Sequence, residues 1–271
     1  MKADLHVHSY YSDGENSPKE LAKMLKEKGI EAAALADHDS VAGTSEFMRA
    51  AKEAGIAAVS GIELSTFSFT EIHILGYNVD INNERFHHSL ETLRQLRRKR
   101  LLGILEKLKE LKIDISEEEV AKMAGLSESV GRVHIARVLI ERGICGSVTQ
   151  AFDTLLGYGK PAYVPSHRIS PREGIEIIKS GGGKAVLAHP FLLGLEQPSL
   201  ASLVRELKSL GLDGIEAQYS THTIYETRFL MRLARAEGLI PTCGSDYHGP
   251  ARDCPMTPFE LSEKDFERLL G

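Results

Sequence analysis

Ala3-Asp4-Leu5-His6-Val7-His8 is a short apolar segment that ends in two histidines, and it sets the pattern for the fold. Segments of the same kind, each ending in a polar cluster, recur at residues 32–39, 57–65, 71–79, 185–189, 214–219 and 240–246. Helical patterns lie between many of them, and the clearest begins with the capping sequence Ser17-Pro18-Lys19-Glu20. Strands that alternate with helices are typical of parallel βα units, so the sequence predicts an α/β protein of the barrel type.

The chain length agrees with a barrel that carries an insertion. At 271 residues it is about twice the ~150-residue expectation for one domain, which allows two domains or a (β/α) barrel of roughly 250 residues with added chain. Between residues 86 and 159 only helical patterns occur. We therefore expect a barrel formed by residues 1–85 and 160–271, and an inserted all-helical subdomain, residues 86–159, that caps the barrel mouth.

Composition excludes several classes of protein. The hydrophobic fraction of 42% and the charged fraction of 26% are those of an ordinary folded domain. A net charge of −5 provides no global positive field for nucleic acid, so any phosphate must bind at a local basic site. Three scattered cysteines and the lack of a long apolar run predict a cytoplasmic protein that is neither secreted nor inserted in a membrane. No obligate protein partner is evident.

Histidines and carboxylates fall at the ends of the predicted strands. In parallel βα architectures the carboxyl ends of the strands open on one face, where sites are built. His6 and His8 alternate on one strand and so point the same way, and Asp246 and His248 share that spacing. The side chains that we expect to converge are His6, His8, Asp13, His38, Glu63, His73, His189, Asp246 and His248.

Taken singly, each of these residues has an ordinary structural explanation. A histidine within an apolar strand, such as His73 or His189, is usually a satisfied core residue, and His-x-His alone is a weak motif. Together they are better explained by a multinuclear metal centre, because nitrogen and oxygen donors suit Mn²⁺, Zn²⁺ or Fe²⁺. Their number exceeds what one ion takes, so we expect two or three divalent ions.

The order of these motifs resembles that of the PHP (polymerase and histidinol phosphatase) superfamily. The matching motifs are His6-Val7-His8-Ser9 with Ser12-Asp13-Gly14, Ala36-Asp37-His38-Asp39, Gly61-Ile62-Glu63, His73-Ile74-Leu75-Gly76, Ala188-His189-Pro190 and Gly244-Ser245-Asp246-Tyr247-His248. The resemblance implies a distorted (β/α)₇ barrel with a trinuclear metal site that hydrolyses phosphoesters. By position it implies one ion held by His6, His8, Glu63 and Asp246, a second by Glu63, His73 and His189, and a third by Asp13, His38 and His248.

Within that superfamily, the helical segment resembles the insert of small bacterial enzymes that act on nucleoside monophosphates, nucleoside 3′,5′-bisphosphates and 5′ ends of short RNA. The resemblance rests on Gly131-Arg132-Val133-His134-Ile135-Ala136-Arg137-Val138-Leu139. That subgroup often has a tryptophan shortly after a Val-Pro pair, where this chain reads Ser166-His167-Arg168. Guanidinium forks bind phosphate oxygens bidentately, so the residues that we expect to contact substrate are Arg132, His134, Arg137 and Arg100.

The reaction expected from these residues is hydrolysis of a phosphate ester by a metal-activated hydroxide, while arginines neutralise charge on the phosphoryl oxygens. Asp37 and Asp39 are expected to orient the histidines. The leaving group would take its proton from a metal-bound water or from His222. The expected partner is therefore a nucleotide, another phosphorylated small molecule, or short 5′-phosphorylated RNA.

Other functions are compatible with parts of the pattern. A histidinol phosphatase or a general phosphatase would use the same ligands, although the Arg-x-His motif of the insert counts against the former. An amidohydrolase barrel also opens with His-x-His, but it normally has a bridging lysine, and here no lysine ends a predicted barrel strand. A non-catalytic, metal-stabilised module associated with a polymerase is the alternative from another class, and a turnover assay would separate it from an enzyme.

Overall fold

A single mixed β-sheet, curved almost into a closed barrel, forms the centre of the molecule in a computed structural model that describes residues 1–165, 169–250 and 254–271. The order of strands in this sheet is β7-β6-β5-β4-β3-β2-β1-β8. The strands are β1 (Lys2–Val7), β2 (Ala32–Leu35), β3 (Ala57–Phe67), β4 (Glu71–Tyr77), β5 (Lys184–Leu187), β6 (Gly214–Tyr219), β7 (Ile240–Gly244) and β8 (Phe259–Glu260). Ser166-His167-Arg168 lies outside the described residues.

The sheet closes because β1 also meets the segment that follows β7. The amide of His8 donates to the carbonyl of Tyr247 at 2.8 Å, and the amide of Asp246 donates to the carbonyl of His6 at 2.7 Å. The described residues therefore form a nearly closed barrel in which β1 to β7 follow one another around the axis, and the α/β barrel class is confirmed. The short β8 pairs with the start of β1 in the antiparallel sense. It carries no periodic signal and was not predicted.

Strand direction departs from the parallel arrangement that the sequence predicts. β4 runs antiparallel to both β3 and β5, whereas β1–β2, β2–β3, β5–β6 and β6–β7 are parallel pairs. Only residues 68–70 separate β3 from β4, which is too short for a crossover helix and forces a hairpin. His73 consequently lies near the start of its strand and not after its end. Antiparallel pairing still brings it to the face at which β3 ends, opposite Ser65.

Helices cover the outside of the sheet and form the segment between β4 and β5. They are α1 (Pro18–Glu27), α2 (Thr44–Glu53), α3 (Glu84–Glu110), α4 (Glu117–Ala124), α5 (Arg132–Glu141), α6 (Val148–Ala151), α7 (Pro171–Ser180), α8 (Gln197–Ser209), α9 (Ile224–Glu237) and α10 (Glu263–Leu270), with a π-helical turn at Phe152–Leu156 and a 3₁₀ turn at Pro190–Leu193. The capping sequence at Ser17 forms the reciprocal hydrogen bonds with Glu20 that its residue types predict. None of the described helices is both long enough and apolar enough to span a bilayer.

The helices from α3 to α6 have an apolar core of their own. Its buried members are Leu101, Ile104, Leu105, Leu108, Ile115, Val120, Ile135, Ala136, Val138, Leu139, Cys145, Ala151, Leu156 and Ala162. Polar contacts join this helical segment to the barrel loops. The amide of Glu128 donates to the carbonyl of Tyr11 at 3.0 Å, and its carboxylate accepts from Ser40 at 2.8 Å and from Arg94 at 2.9 Å. The division into barrel and cap at residues 86 and 159 stays a prediction.

Candidate metal centre

Glu63, near the middle of β3, is the residue around which the site is arranged. Its side chain is fully buried, and its two carboxylate oxygens face opposite halves of a histidine cluster. Oε1 lies 2.8 Å from Nδ1 of His73 and 3.0 Å from Nε2 of His189. Oε2 lies 2.9 Å from Nδ1 of His38, and the β2 end that carries His38 is held by a backbone bridge to Glu63 itself. One carboxylate thus connects four barrel strands.

A first group of donors forms where β1 meets the end of β7. Nε2 of His8 lies 3.3 Å from Oε2 of Glu63 and 3.0 Å from Oδ1 of Asp246, and Nε2 of His6 lies 3.4 Å from each of the same two oxygens. Close approach at this seam requires Gly244, because a β-carbon at that position would lie 2.1 Å from the β-carbon of His6. These atoms are the four ligands that the family resemblance implies for one ion.

A second group of donors lies on the other side of His8. The rings of His8 and His248 stack with their centroids 3.9 Å apart, and Nε2 of His248 lies 3.1 Å from Oδ1 of Asp13. Nε2 of His38 lies 3.9 Å from the same oxygen of Asp13. Donor atoms of these four residues come close enough together to hold an ion, so the structure adds His8 to the three residues expected there.

The remaining expected ligand set, Glu63, His73 and His189, also lies close together. Nδ1 of His73 lies 3.3 Å from Nε2 of His189, and both nitrogens lie within 3.0 Å of the same glutamate oxygen. Donors of His38, Glu63 and His73 also lie close enough to share an ion. All nine expected ligands therefore lie in one continuous cluster, and how they are divided among ions stays a prediction.

Electrostatics in the cluster depends on buried carboxylates that face imidazoles. Burial alone would raise the pKa of Glu63, but the neighbouring rings of His73, His38 and His6 lower it well below its usual range. Burial and the adjacent His248 lower the pKa of His8 well below its usual value, which leaves the neutral ring that binds metals. Burial would lower the pKa of His73 as well, and the carboxylates of Glu63 and Glu71 raise it to about 10 instead.

Several buried polar atoms of the cluster lack a hydrogen-bond partner within the part of the chain that the structure describes, as expected of ligands that bind divalent ions. Among the described residues, Nε2 of His6, both ring nitrogens of His8, Oε2 of Glu63 and Oδ1 of Asp246 are buried without a hydrogen-bond partner. Buried polar atoms of this kind are costly unless they are paired or bind a metal. Neutral imidazole and carboxylate donors together suit Zn²⁺, Mn²⁺ or Fe²⁺. The cluster therefore has the donor set, the burial and the unmet bonding capacity of a metal centre.

Backbone strain also concentrates at the site. Asp39, His189 and Asp246 have positive φ angles of 50°, 26° and 58°, a conformation that residues other than glycine rarely adopt. Each of them follows the end of a barrel strand, at the point where the chain turns away from the sheet. Strain that persists at a cluster of polar side chains is typical of functional sites, where surrounding contacts fix the side-chain direction.

Two buried acids that the sequence analysis did not single out support the ligands. Glu216 on β6 accepts from Nδ1 of His6 at 3.0 Å and from the backbone amide of His189 at 2.6 Å. Asp4 accepts from the amide of Ser245 at 2.9 Å, and burial raises its pKa to about 6. The available signal was a single acid within an apolar strand, Gly214-Ile215-Glu216-Ala217, which no neighbouring histidine reinforced. Glu216 is the acid that orients a candidate ligand ring.

Asp37 and Asp39, which we expected to orient the histidines, contact other groups. Within the described parts of the chain neither carboxylate hydrogen-bonds a histidine ring. Asp37 accepts from the amide and hydroxyl of Ser9 and from the hydroxyl of Ser12, and burial raises its pKa to about 7. Asp39 accepts from the amide of Ser65 at 2.9 Å and from Nε of Arg97 at 2.5 Å. Asp37 therefore holds the loop after β1, and Asp39 holds α3 through Arg97.

His222 lies apart from the residues with which we expected it to act. Its Nδ1 is 3.4 Å from the carbonyl of Ala217, and its ring packs 5.2 Å from that of Tyr219 and 5.6 Å from that of Phe191. It is not among the residues that line the cavity between the metal-ligand cluster and the helical segment, and its role as a proton donor stays a prediction. Tyr219 instead reaches the cluster, since its hydroxyl donates to Oδ2 of Asp246 at 2.9 Å.

A cavity of about 300 Å³ lies between the metal-ligand cluster and the helical segment. Its floor includes Asp13, His38, His73, His189 and Asp246. Its walls include the basic residues Arg97, Arg100 and Arg132, the ring of His134, and the apolar residues Leu101, Ile104, Val130, Phe152 and Leu192. A floor of candidate metal ligands, a basic wall and an apolar wall therefore enclose one space, as expected for a site that binds a phosphorylated organic molecule.

The four residues expected to contact substrate divide into two sets. Arg132 and Arg100 line the cavity, where Arg132 lies 5.1 Å over the ring of Phe152, and Nε of Arg100 donates to the carbonyl of Val164 at 3.1 Å. His134 also faces the cavity, but its Nδ1 accepts from the amide of Gly131, and burial lowers its pKa to about 4. Arg137 does not line this cavity, and its guanidinium donates to the carbonyl of Asp13 at 3.0 Å.

Comparison with known proteins covers nearly the whole chain. A family model described as the PHP domain matches residues 4–161. A 5′-3′ exoribonuclease of Haemophilus influenzae is 36% identical over 250 residues, which are 92% of this chain and 90% of that protein. A 3′,5′-nucleoside bisphosphate phosphatase of Chromobacterium violaceum is 29% identical over 248 residues, 91% of this chain and 87% of that protein. A solved structure from Bifidobacterium adolescentis, described as a metal-dependent phosphoesterase, superposes with a TM-score of 0.87 at 25% identity and covers 99% of this chain and 95% of its own.

Proposed function

The chain belongs to the PHP domain family and is a metal-dependent phosphoesterase, and from this premise we propose that it removes phosphate from nucleotides or from the 5′ end of short RNA. The observation that carries the proposal is the shared cavity. Five of the nine candidate ligands line the same cavity of about 300 Å³ as three arginines and an apolar wall. Such a space suits a molecule with an ester phosphate at one end, a second anionic group, and an apolar base.

The ligand set that we propose consists of the nine clustered residues, with Glu63 shared between ions. Two or three divalent ions, Mn²⁺, Zn²⁺ or Fe²⁺, would be held by His6, His8, Asp13, His38, Glu63, His73, His189, Asp246 and His248. When bound, such ions lower the pKa of a coordinated water to supply a hydroxide nucleophile, and they neutralise charge on the phosphoryl group. No serine, cysteine or aspartate of the chain is needed as a nucleophile.

The protein's own side chains bind and orient the rest of the substrate. Arg132 and Arg100 present guanidinium groups toward the cavity, where each would bind oxygens of a second phosphate. Phe152 and Leu192 supply apolar surface for a base, because a flat ring gains most from contact with aromatic and aliphatic groups. Tyr219 holds Asp246 in place through its hydroxyl. A longer RNA would leave the cavity after its first nucleotide, since the volume suits about one nucleotide.

The proposal is tested by turnover of the metal-reconstituted protein on matched substrates. We expect adenosine 3′,5′-bisphosphate, adenosine 5′-monophosphate and a 5′-phosphorylated oligoribonucleotide to be hydrolysed with kcat/KM at least about tenfold above that for p-nitrophenyl phosphate or histidinol phosphate, because only the former fill both walls of the cavity. The matched control is the same oligoribonucleotide with a 5′-hydroxyl. Equal kcat/KM values for p-nitrophenyl phosphate and nucleotides would indicate a general phosphatase. No turnover on any ester would favour a non-catalytic module.

A further inference from the structure

The acidic residue Glu71 lines the cavity that we propose binds phosphate, where a negative charge is unexpected. Glu71 is the first residue of β4 and lines the cavity with Arg132, from the other side of the mouth. Its Oε1 lies 3.0 Å from Nε2 of His73, and its Oε2 lies 3.5 Å from Nη2 of Arg132. One acid therefore connects a candidate metal ligand of the barrel with a basic residue of the helical segment.

Among the described residues, the contacts of Glu71 with His73 and with Arg132 differ in strength. The contact with His73 has ordinary hydrogen-bond length, and it leaves Nδ1 of the ring to face Glu63. The contact with Arg132 is longer than the 2.7–2.9 Å typical of a charge-assisted hydrogen bond, and both side chains are partly exposed. Ion pairs of that kind contribute little to stability, whereas a phosphate bound bidentately by an arginine is a stronger partner. An incoming phosphate can therefore replace the carboxylate on Arg132 while His73 keeps Glu71 in place.

We propose that Glu71 is a positioning residue that holds Arg132 toward the cavity until a second anionic group of the substrate takes over the guanidinium. Because the carboxylate stays anchored on His73, its charge opposes the arriving phosphate and limits how tightly that phosphate is bound. Glu71 thereby sets the preference between substrates with two phosphates and substrates with one. This inference rests on the proposed function, since it assumes that a phosphorylated nucleotide enters the cavity.

The experiment compares Glu71→Gln, Arg132→Ala and the double variant with the wild-type protein on two substrates. In Glu71→Gln we expect KM for adenosine 3′,5′-bisphosphate to fall about three- to tenfold, and KM for adenosine 5′-monophosphate to change less than about twofold. Glutamine keeps an acceptor oxygen for Arg132 and removes only the charge, and that charge affects only the substrate with a second phosphate. In the Arg132→Ala background the selective effect should disappear, as a double-mutant cycle requires of coupled groups. Glu106→Gln, an exposed change on α3 outside the cavity, controls for net charge.

A purely structural role for Glu71 gives a different result. If Glu71 only orients His73, kcat falls on both substrates by the same factor, and the loss persists in the Arg132→Ala background. That outcome overturns the inference, as does a KM change shared equally by both substrates. Titration calorimetry of the metal-reconstituted proteins with a non-hydrolysable phosphonate analogue of adenosine 3′,5′-bisphosphate provides a second readout, in which Glu71→Gln should lower Kd by a similar factor and the double variant should not.

The two proposals fail in distinguishable ways. If the wild-type protein hydrolyses no nucleotide, the proposed function is wrong, whatever the variants do. If the wild-type protein hydrolyses nucleotides but Glu71→Gln leaves the ratio of the two KM values unchanged, only the inference about Glu71 is wrong. Thermal melting of each variant shows whether the fold is intact, and we expect no large loss from Glu71→Gln because its side chain is partly exposed.

Discussion

At the scale of single residues, Glu63 shows how one buried carboxylate can hold several histidine side chains together inside a protein. Its two oxygens face the rings of His6, His8, His38, His73 and His189. An isolated buried carboxylate would be strongly destabilising, and here the surrounding donors keep it ionised, with its pKa well below the usual range. The same charge is available to neutralise two ions at once. Glu63 should therefore be less replaceable than any residue that contributes a single ring.

A comparison of Glu63→Gln with Glu216→Gln tests whether Glu63 is less replaceable, because both acids are fully buried. After reconstitution with Mn²⁺ or Zn²⁺, we expect elemental analysis to find two or three ions in the wild-type protein and at least one fewer in Glu63→Gln. Glu216→Gln should keep the number of ions and weaken their binding about ten- to hundredfold, because Glu216 acts through His6 and His189. Full metal content in Glu63→Gln would show that this carboxylate does not bridge.

His134 gives a prediction about pH, because its ring is buried and neutral. Its folded-state pKa of about 4 lies below the ordinary value of 6.5, so the unfolded chain binds more protons between these two values. Stability from this group is therefore complete above pH 6.5 and is lost as pH falls toward 4, by on the order of 3 kcal/mol. His134→Gln keeps an acceptor for the amide of Gly131 without a titrating ring. Urea unfolding of both proteins from pH 7.5 to 4 should show the smaller loss in the variant, and parallel curves would contradict the assignment.

At the scale of secondary-structure elements, the sequence predicted positions well and directions less well. The short apolar segments that end in polar clusters coincide with β1 to β7, because an apolar run of this length reports which residues are buried. The pattern could not show that β4 runs antiparallel, since Ser68-Phe69-Thr70 lacks the glycine or asparagine that marks a tight hairpin. All nine expected ligands nevertheless came together, because the β3–β4 hairpin returns His73 to the face where β3 ends.

The supporting residues of the site could not be predicted in the same way. Their roles depend on which side chains meet across distant strands, as Glu216 meets His6 over 210 residues of chain. Asp37 and Asp39 stand beside His38 in sequence, and we expected them to orient the histidines. The structure turns them toward Ser9, Ser12 and Arg97, because successive residues at a strand end point in different directions. Adjacency in sequence is therefore a poor guide to contacts around a ligand.

Arg137 provides the prediction at this scale, since it links α5 to the loop that carries Asp13. Its guanidinium donates to the carbonyl of Asp13, so Arg137→Ala should loosen that loop and lower kcat/KM about equally for nucleotides and for p-nitrophenyl phosphate. Arg132→Ala should instead lower kcat/KM for nucleotides selectively, about ten- to hundredfold, the loss of one charge-assisted hydrogen bond. Arg137→Lys, which keeps a donor, should recover most of the activity. A selective loss in Arg137→Ala would mean that this residue reaches the substrate.

At the scale of the whole molecule, the barrel is closed at the place where the candidate metal centre lies. Hydrogen bonds between β1 and the chain after β7 pass through Asp4, His6 and Asp246, and candidate ligands come from six of the seven barrel strands or the loops that follow them. The helical segment then covers this end of the barrel and completes the cavity. The seam that closes the sheet, the candidate ligands and the cavity therefore lie at the same end of the barrel. Ions that bind the cluster should stabilise the entire fold and not only a local loop.

Removal of metal tests this coupling. An ion that binds only the folded chain contributes about 2.7 kcal/mol at a concentration of one hundred times its Kd, which corresponds to a rise in Tm of roughly 5–10 °C for a chain of this size. We expect a chelator to lower the Tm of the reconstituted protein by at least that amount, and Mn²⁺ or Zn²⁺ to restore it. His88→Gln, an exposed change on α3, should keep the full response, whereas Glu63→Gln should lose most of it. If the chelator shifted the Tm of wild-type protein and Glu63→Gln equally, the stabilising ions would bind elsewhere, and the barrel would close without them.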